Sequence, residues 1–157
     1  MSELDQSKKY FEDFSEGFVF EYQVPGLSVE EITDFALQYD PQPFHLDETA
    51  ASETHFGGLV ASGFQTQLKC FGPFCREVLL NSGSVGAPGI DNLKWLRPWF
   101  PNVLLEVSAK LIGKRVSSKL TGLGYINFEL EALADGAPLL TMEWAVIMLT
   151  RGTPSID

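Results

Sequence analysis

The chain has 157 residues, 45% of them hydrophobic and 20% charged, a balance typical of one globular domain and not of a disordered or fibrous chain. No uncharged apolar run approaches the roughly 18 residues that a membrane-spanning helix needs. The formal net charge is −10, with thirteen acidic side chains and two lysines in residues 1–60, so we expect neither a nucleic acid nor a membrane as partner.

The N-terminal segment is polar and lacks the apolar core of a secretory signal. We therefore expect a polar tail at residues 1–9, a single domain at residues 10–151 and a cytoplasmic location. The two cysteines, Cys70 and Cys75, do not have the spacing of a redox or zinc motif, which agrees with a reducing compartment.

The first elements of the domain are a strand and a helix. An apolar stretch at residues 18–24 predicts the strand. Ser28 and Glu31 have the spacing of a capping box, which predicts that a helix begins here. Apolar residues recur on one helical face up to Tyr39, and the helix is expected to end at Asp40 because a residue that precedes proline is disfavoured in the helical region.

A proline-containing loop and a long central helix follow. Residues 41–47 contain two prolines that restrict the backbone, and Asp47 has the position of a cap for a short helix. Ser62 and Gln65 have the spacing of a second capping box, and apolar residues then recur along a longer helix. Pro73 lies within that helix and is predicted to kink or divide it. Because the helix is apolar on most sides, we expect it to be buried.

The last third of the chain has the alternating pattern of strands. Apolar and polar side chains alternate at residues 105–111 and 126–132, which predicts antiparallel strands with one solvated face. Asp135-Gly136 predicts a hairpin turn into a final strand. An antiparallel sheet that wraps a long helix is an α+β fold. The open edge of such a sheet predicts a homodimer or a higher homo-oligomer.

The segment 94–119 is basic, with six lysine or arginine side chains and one glutamate. Two interpretations stay open, a solvated strand and turn or a contact for a small anionic ligand such as the phosphates of a substrate. Trp95 and Trp99, on either side of Arg97, also have two interpretations, since they either pack in a core or interface or stack on a ligand.

Asp40 and His45 bracket the segment that carries the most functional information. A carboxylate at the C-terminal end of a helix is disfavoured by about 0.3–1 kcal/mol, so folding gains nothing from this aspartate. The intervening prolines restrict the backbone, so that a carboxylate and an imidazole are presented with little conformational freedom, as acid–base chemistry requires. The alternative interpretation is a helix-ending aspartate followed by an ordinary loop histidine.

Residues 40–47, which read Asp-Pro-Gln-Pro-Phe-His-Leu-Asp, resemble the signature Asp-x-Asn-Pro-x-His-x-Asp of the MaoC-like dehydratases and R-specific enoyl-CoA hydratases. Residues 56–63 resemble the family's segment that leads into its central helix. Residues 92–102 resemble its strand-and-turn stretch, which often reads Phe-x-x-Pro-Val-x-x-Gly-Asp. The similarity extends over nearly the whole chain. Gln42 stands where the family has asparagine, and Ser62 stands where many members have histidine.

The resemblance implies a hot-dog fold and a hydro-lyase that interconverts a trans-2-enoyl thioester of coenzyme A and its 3-hydroxyacyl thioester. Asp40 and His45 would hold the water, one taking its proton and the other delivering a proton to the α-carbon. The Gly63 amide, at the start of the central helix, matches the family's oxyanion donor. The substrate-binding positions that the resemblance implies are Gln42, Phe44, Ser62 and Gly63. It implies neither a cofactor nor a metal, since the coenzyme A thioester is the substrate.

Other functions remain open for the same residues. A hot-dog thioesterase would use a carboxylate to activate water against the carbonyl, and a non-catalytic hot-dog protein would only bind the acyl thioester. Ser62, His45 and Asp40 are the residue types of a hydrolase triad, but the sequence around Ser62 lacks the Gly-x-Ser-x-Gly pattern. His45, Asp47 and His55 are metal-ligating residue types without a rigid ligand spacing.

Overall fold

The computed structural model describes residues 8–153, in which one strand and four helices precede five further strands. The strands are β1 (Val19–Val24), β2 (Ser84–Gly86), β3 (Ile90–Trp95), β4 (Leu105–Val116), β5 (Leu123–Ala134) and β6 (Ala137–Leu149). The helices are α1 (Val29–Tyr39), α2 (Pro43–Leu46), α3 (Glu48–Ser52) and α4 (Gly63–Phe74), and a π-helical turn, Cys75–Leu79, continues α4. Within residues 8–153, no helix is both long enough and apolar enough to cross a membrane.

The N-terminal segment joins the fold earlier than expected. Of the predicted tail at residues 1–9, the first seven residues lie outside the described residues. Lys9 forms a bridge with Ser82, and its carbonyl oxygen accepts a hydrogen bond of 2.7 Å from the amide of Gly83. A short 3-10 turn at Phe11–Asp13 then leads towards β1.

All six strands form one antiparallel sheet in the order β1-β4-β5-β6, and β2 and β3 pair one after the other with the outer edge of β6. The alternation predicted for β4 and β5 is confirmed, because the side chains of Leu105, Val107, Ala109, Leu111, Ile126, Phe128, Leu130 and Ala132 are buried. The predicted hairpin is confirmed as well. Asp135 and Gly136 both have positive φ, 50° and 76°, as a two-residue hairpin loop requires.

Helix α4 lies against the inner face of this sheet. The ring of Phe74 has edge-to-face contacts with Phe20 on β1, Phe128 on β5 and Trp144 on β6, so three strands surround its C-terminal end. The Tyr22 hydroxyl donates a hydrogen bond to the carbonyl oxygen of Cys70, which fixes β1 to the middle of the helix. The antiparallel sheet around a helix is the α+β arrangement that the sequence predicts.

One expectation for α4 needs correction. The helix is not buried on most sides, because Phe64 and Leu68 are 56% and 57% exposed on the face that turns away from the sheet. Pro73 lies inside α4, and the α-helix ends one residue later, at Phe74, where a π-helical turn replaces it. The interruption predicted near Pro73 is therefore present as a change of helix type and not as a break in the helix.

The segment between the first two long helices is more regular than a loop. Pro43 begins α2, since its missing N–H costs nothing at the first position of a helix. Asp47 ends α2 and caps α3, as predicted, with Oδ1 accepting a hydrogen bond of 2.7 Å from the amide of Ala50. These two short helices place residues 40–47 beside the N-terminus of α4.

Candidate active site

Asp40 and His45 are adjacent in space. Asp40 is the residue at which α1 ends, and His45 lies on α2, the short helix that follows α1. The Nε2 atom of His45 is 3.3 Å from Oδ2 of Asp40. Both side chains are largely shielded from solvent, with 7% of the imidazole and 15% of the carboxylate side chain exposed. The proline-containing segment therefore holds a carboxylate and an imidazole at one place.

The imidazole of His45 is oriented by the main chain. Its Nδ1 atom is 2.6 Å from the carbonyl oxygen of Val60. Because a carbonyl oxygen only accepts hydrogen bonds, Nδ1 carries a proton and donates it to this contact. In the neutral ring, Nε2 is then left without a proton, and it is the atom that faces Asp40. The backbone thus fixes the ring with its basic nitrogen towards the carboxylate.

Asp40 is held in its ionised form. Burial raises the pKa of this carboxyl group, but hydrogen bonds from Gln42 and Ser62 and the nearby His45 outweigh burial and leave the pKa below its ordinary range. Gln42 Nε2 donates to Oδ1 and Ser62 Oγ donates to Oδ2, each over 2.7 Å. The carboxylate therefore remains a hydrogen-bond acceptor at neutral pH.

Ser62 makes a contact that the sequence does not predict. Its side chain makes no capping hydrogen bond to α4, so the predicted capping box with Gln65 is wrong. Its side chain is fully buried and its hydroxyl donates to the Asp40 carboxylate, and Ser62 itself is not among the residues that line the pocket beside Asp40. The reason is tertiary, because α1 brings a strong acceptor within reach of the hydroxyl.

A pocket of about 680 Å³ opens beside the pair. Asp40, His45 and three of the predicted substrate-binding residues, Gln42, Phe44 and Gly63, line it. Most of the remaining wall is apolar, and its aromatic members are Phe56, Phe64, Trp95, Trp99 and Phe100. A cavity of this size with few converging polar groups is typical of a site for a small organic molecule.

Gly63 is the first residue of α4, and its amide is one of the helix N-terminal amides that have no partner within the helix. Within residues 8–153 this amide forms no hydrogen bond, and no side chain caps the helix. The positive end of the helix dipole therefore faces the pocket with a free donor. Such a donor stabilises a developing negative charge on an oxygen atom.

Of the basic residues at 94–119, Arg97 is the one that lines the pocket. Lys114 has a structural role instead, since its Nζ donates to the carbonyl oxygens of Phe11 and Phe14 over 2.9 and 2.5 Å. Arg115 lies over the ring of Tyr125 on the neighbouring strand. Arg97 is thus the member of this segment that lies at the pocket, and its Nη1 also donates to the carbonyl oxygen of Ala134 over 3.4 Å.

The two tryptophans differ in their surroundings, although both line the pocket. Trp99 is buried and donates from Nε1 to the carbonyl oxygen of Val103 over 2.8 Å, whereas Trp95 is 46% exposed. Thr66 and His55 also line the pocket, which the sequence did not indicate for either residue. Thr66 follows Gly63 by one helical turn, a spacing that places both on one face.

The metal and hydrolase interpretations find no support in the geometry. Asp47 is occupied as the cap of α3, and among residues 8–153 no three His, Cys, Asp or Glu side chains are close enough together to hold a metal ion. The hydroxyl of Ser62 donates to Asp40 and not to His45, so it lacks the base that a serine nucleophile needs. Both cysteines are free thiols.

Comparison with known proteins identifies the family. The family model described as MaoC like domain matches residues 14–125. The uncharacterized protein YdeM of Bacillus subtilis (strain 168) is 28% identical over 104 residues, which are 66% of this chain and 74% of that protein.

Solved structures agree. A MaoC-like dehydratase from Rhodospirillum rubrum superimposes with a TM-score of 0.81 at 26% identity, over 92% of this chain and 99% of that one. An (R)-hydratase from A. caviae involved in PHA biosynthesis has a TM-score of 0.68 at 20% identity, over 85% of this chain and 96% of that one. The fold is therefore the hot-dog fold that the resemblance implies, and the chain belongs to the MaoC-like domain family.

Proposed function

We propose that the protein is a hydro-lyase that interconverts a trans-2-enoyl thioester of coenzyme A and its 3-hydroxyacyl thioester by addition or loss of water. The observation that carries this proposal is the 3.3 Å separation of Asp40 Oδ2 and His45 Nε2 in the wall of a largely apolar pocket. Oδ2 of the ionised Asp40 accepts hydrogen bonds, Nε2 of His45 accepts them when the imidazole is neutral, and the Gly63 amide, which has no partner within residues 8–153, belongs to the same wall.

Two acceptors that face one position select a water molecule. Water has two O–H groups, so it donates one to the carboxylate of Asp40 and one to Nε2 of His45. This arrangement raises the electron density on the water oxygen and holds its lone pair towards the pocket. The pair thereby serves as a positioned general base, which contributes typically 10²–10⁴-fold to a rate.

In the addition of water, one proton leaves the water molecule and one proton reaches C2 of the substrate. As the water oxygen forms its bond to C3 of the enoyl group, the Asp40–His45 pair takes up a water proton. The π electrons of the C2–C3 double bond shift towards C1, and negative charge develops on the thioester oxygen. The pair then returns one proton to C2, so that H and OH have been added and both side chains regain their first state. Loss of water is the same sequence reversed.

A hydrogen-bond donor that is in position before the reaction begins stabilises the negative charge that develops on the thioester oxygen. The amide of Gly63 fits this role, because it begins a twelve-residue helix and has no partner within the described residues. A fixed donor of this kind stabilises the charged intermediate more than the neutral substrate, which is the condition for accelerating a reaction. Phe44 and the other aromatic side chains of the pocket would contact the acyl chain, and Arg97 at its rim would meet a phosphate group of the carrier.

The experiment that tests the function removes each member of the pair. We expect Asp40→Asn and His45→Ala each to lower the rate of crotonyl-CoA hydration by at least ~10²-fold, because each removes an acid–base group. The rate is followed by the loss of enoyl absorbance, and circular dichroism checks that the fold is intact. Asp34→Asn is the matched control, since Asp34 is an exposed carboxylate on α1.

Normal hydration by both Asp40→Asn and His45→Ala would refute the assignment. Release of free thiol from an acyl-CoA would favour the thioesterase, and binding of crotonyl-CoA without any absorbance change would favour the non-catalytic binding protein. A panel of enoyl-CoA substrates with longer, branched and aromatic acyl groups measures which acyl groups the pocket accommodates.

We also propose that the protein is a homodimer in the cytoplasm, where a coenzyme A thioester would reach it. The outer face of α4 and strand β3 expose the large apolar side chains of Leu68, Ile90 and Trp95, which are 57%, 48% and 46% exposed, and Trp95 also lines the pocket. A patch of this kind on a small domain is typical of a surface that another subunit covers. The open edge formed by β3 is also available for pairing.

A further inference from the structure

The indole of Trp95 lies directly against Gly63. A Cβ atom at Gly63 would be 2.5 Å from Cε2, 2.6 Å from Cδ2 and 2.8 Å from Nε1 of this indole. Such distances are closer than any side chain tolerates, so glycine is required here for the ring to reach the N-terminus of α4. The ring of Phe64 makes an edge-to-face contact with the indole, with the two ring centres 5.3 Å apart and the ring planes at 67°.

The indole N–H of Trp95 is a free donor at the pocket. Trp95 lines the pocket together with Gly63, and its Nε1 forms no hydrogen bond within residues 8–153. The indole N–H of Trp99, by contrast, donates a hydrogen bond to the carbonyl oxygen of Val103. Two unpaired N–H groups, one from the main chain and one from a side chain, therefore lie together in the pocket wall.

The distance between these two donors follows from covalent geometry. The backbone nitrogen and the Cβ of one residue are about 2.5 Å apart, so an Nε1 atom that is 2.8 Å from the Cβ position of Gly63 is no more than about 5.3 Å from the nitrogen of Gly63. Two donors that each bind one oxygen at about 2.9 Å can be up to about 5.8 Å apart. The separation of the two donor nitrogens is therefore within the distance that a single accepting oxygen can span.

We propose that Trp95 is a catalytic residue whose indole N–H, together with the Gly63 amide, binds the thioester oxygen during addition or loss of water. This role rests on the proposed hydro-lyase function. Because negative charge grows on that oxygen as the C3–O bond forms, the indole stabilises the transition state more than the bound substrate.

The test replaces the donor and keeps the ring. We expect Trp95→Phe to lower kcat for crotonyl-CoA hydration by about 10- to 100-fold with little change in KM, because loss of one oxyanion donor typically costs about 10²–10³ in kcat and a second donor remains. Trp144→Phe is the matched control. Trp144 also has an unpartnered Nε1, but it is buried in the core and does not line the pocket. The melting temperature is measured for both variants.

A second readout follows the oxyanion itself. Acetoacetyl-CoA forms an enolate that absorbs in the ultraviolet, and a site with two donors increases the enolate fraction of the bound ligand. We expect the wild-type protein and Trp144→Phe to increase this fraction, and Trp95→Phe to increase it clearly less. A purely structural role of the ring predicts a lowered melting temperature for Trp95→Phe and no specific loss of this enolate absorbance.

The outcomes separate the two proposals. Trp95→Phe with wild-type kcat, or with a raised KM alone, on a protein that hydrates crotonyl-CoA overturns the role of Trp95 and leaves the hydro-lyase function standing. A wild-type protein that hydrates no enoyl-CoA of the panel overturns both. A lowered kcat together with a reduced enolate fraction, at unchanged melting temperature, supports the role of the indole N–H.

Discussion

Asp40 occupies a position that local structure disfavours and tertiary structure compensates. It lies at the C-terminal end of α1, where the helix dipole destabilises a negative charge. Gln42 and Ser62 each donate a hydrogen bond of 2.7 Å to it, and His45 lies 3.3 Å away. The result is a carboxylate with a lowered pKa next to an imidazole whose orientation the main chain sets.

The hydroxyl of Ser62 is the contact that is most easily removed. We expect Ser62→Ala to raise the pKa of Asp40 towards its ordinary value, because one of the hydrogen bonds that favour the charged form is lost. The measurement is a carbon-13 NMR titration of the aspartate carboxyl groups, with Ser52→Ala on the exposed side of α3 as control. An unchanged pKa in Ser62→Ala would show that this hydrogen bond does not stabilise the carboxylate.

The lowered pKa of Asp40 also predicts how stability depends on pH. A folded-state pKa below the unfolded value of about 3.9 stabilises the protein fully above that value, and this contribution is lost as pH falls through the folded pKa. The contribution of the Asp40 carboxylate to the difference in unfolding free energy between the wild-type protein and Asp40→Asn should therefore be fully present above about pH 4 and shrink below it. Urea unfolding at each pH measures it, and a difference that stays constant in acid contradicts the lowered pKa.

At the scale of elements, two serines with the same sequence pattern have different roles. Ser28 and Glu31 form the predicted capping box of α1, with reciprocal hydrogen bonds of 3.0 and 2.9 Å. Ser62 and Gln65 have the same spacing but form none, because Ser62 donates to Asp40 and Gln65 donates to the carbonyl oxygen of Glu31. A capping pattern predicts a helix start reliably, whereas the partner of the side chain depends on what lies nearby.

This difference predicts opposite consequences for the two serines. We expect Ser28→Ala to lower the unfolding free energy by about 1 kcal/mol, the usual value of an N-cap, and to leave the hydration rate unchanged because Ser28 is remote from the pocket. Ser62→Ala should lower the hydration rate instead. Urea unfolding and the crotonyl-CoA assay measure the two effects, and a Ser28→Ala variant that loses activity at full stability contradicts this division.

At the scale of the whole molecule, the sheet covers one side of α4 and leaves the other side open. The buried residues of α4 include Cys70 and Phe74 on the side that faces the sheet, whereas Phe64 and Leu68 lie on the open side. Gly63 and Phe64, at the N-terminal end of the helix, also line the pocket. The open face is thus both apolar and adjacent to the candidate active site, which is the basis of the proposed homodimer.

The proposed homodimer is tested by substitution of Leu68, the most exposed large apolar side chain of α4. We expect the wild-type protein to have twice the chain mass of 17.4 kDa by light scattering, and Leu68→Glu to be a monomer, because a buried charge without a partner is strongly unfavourable. Leu120→Glu, in the turn before β5, is the control, since Leu120 is also 50% exposed but far from α4 in the chain. A monomeric wild-type protein, or an unchanged mass for Leu68→Glu, refutes this interface.

Local patterns in the sequence predicted most of the strands and helices, and the position of Asp40 and His45 on either side of two prolines suggested that they act together. Period-two alternation in β4 and β5, the Asp135-Gly136 turn and the capping box at Ser28 are local properties, since each depends on residues within a few positions of one another. The same holds for residues 40–47, in which the prolines restrict the distance between the two side chains.

Contacts between residues far apart in the chain became visible with the tertiary structure. The hydroxyl of Ser62 donates to the carboxylate of Asp40, 22 residues away, and the indole of Trp95 lies against Gly63. The tertiary structure also left Phe64 and Leu68 in solvent, although their spacing is that of a buried helix. The physical reason is that a hydrogen bond or an apolar contact goes to the best partner that packing brings within reach, and local spacing does not contain that information.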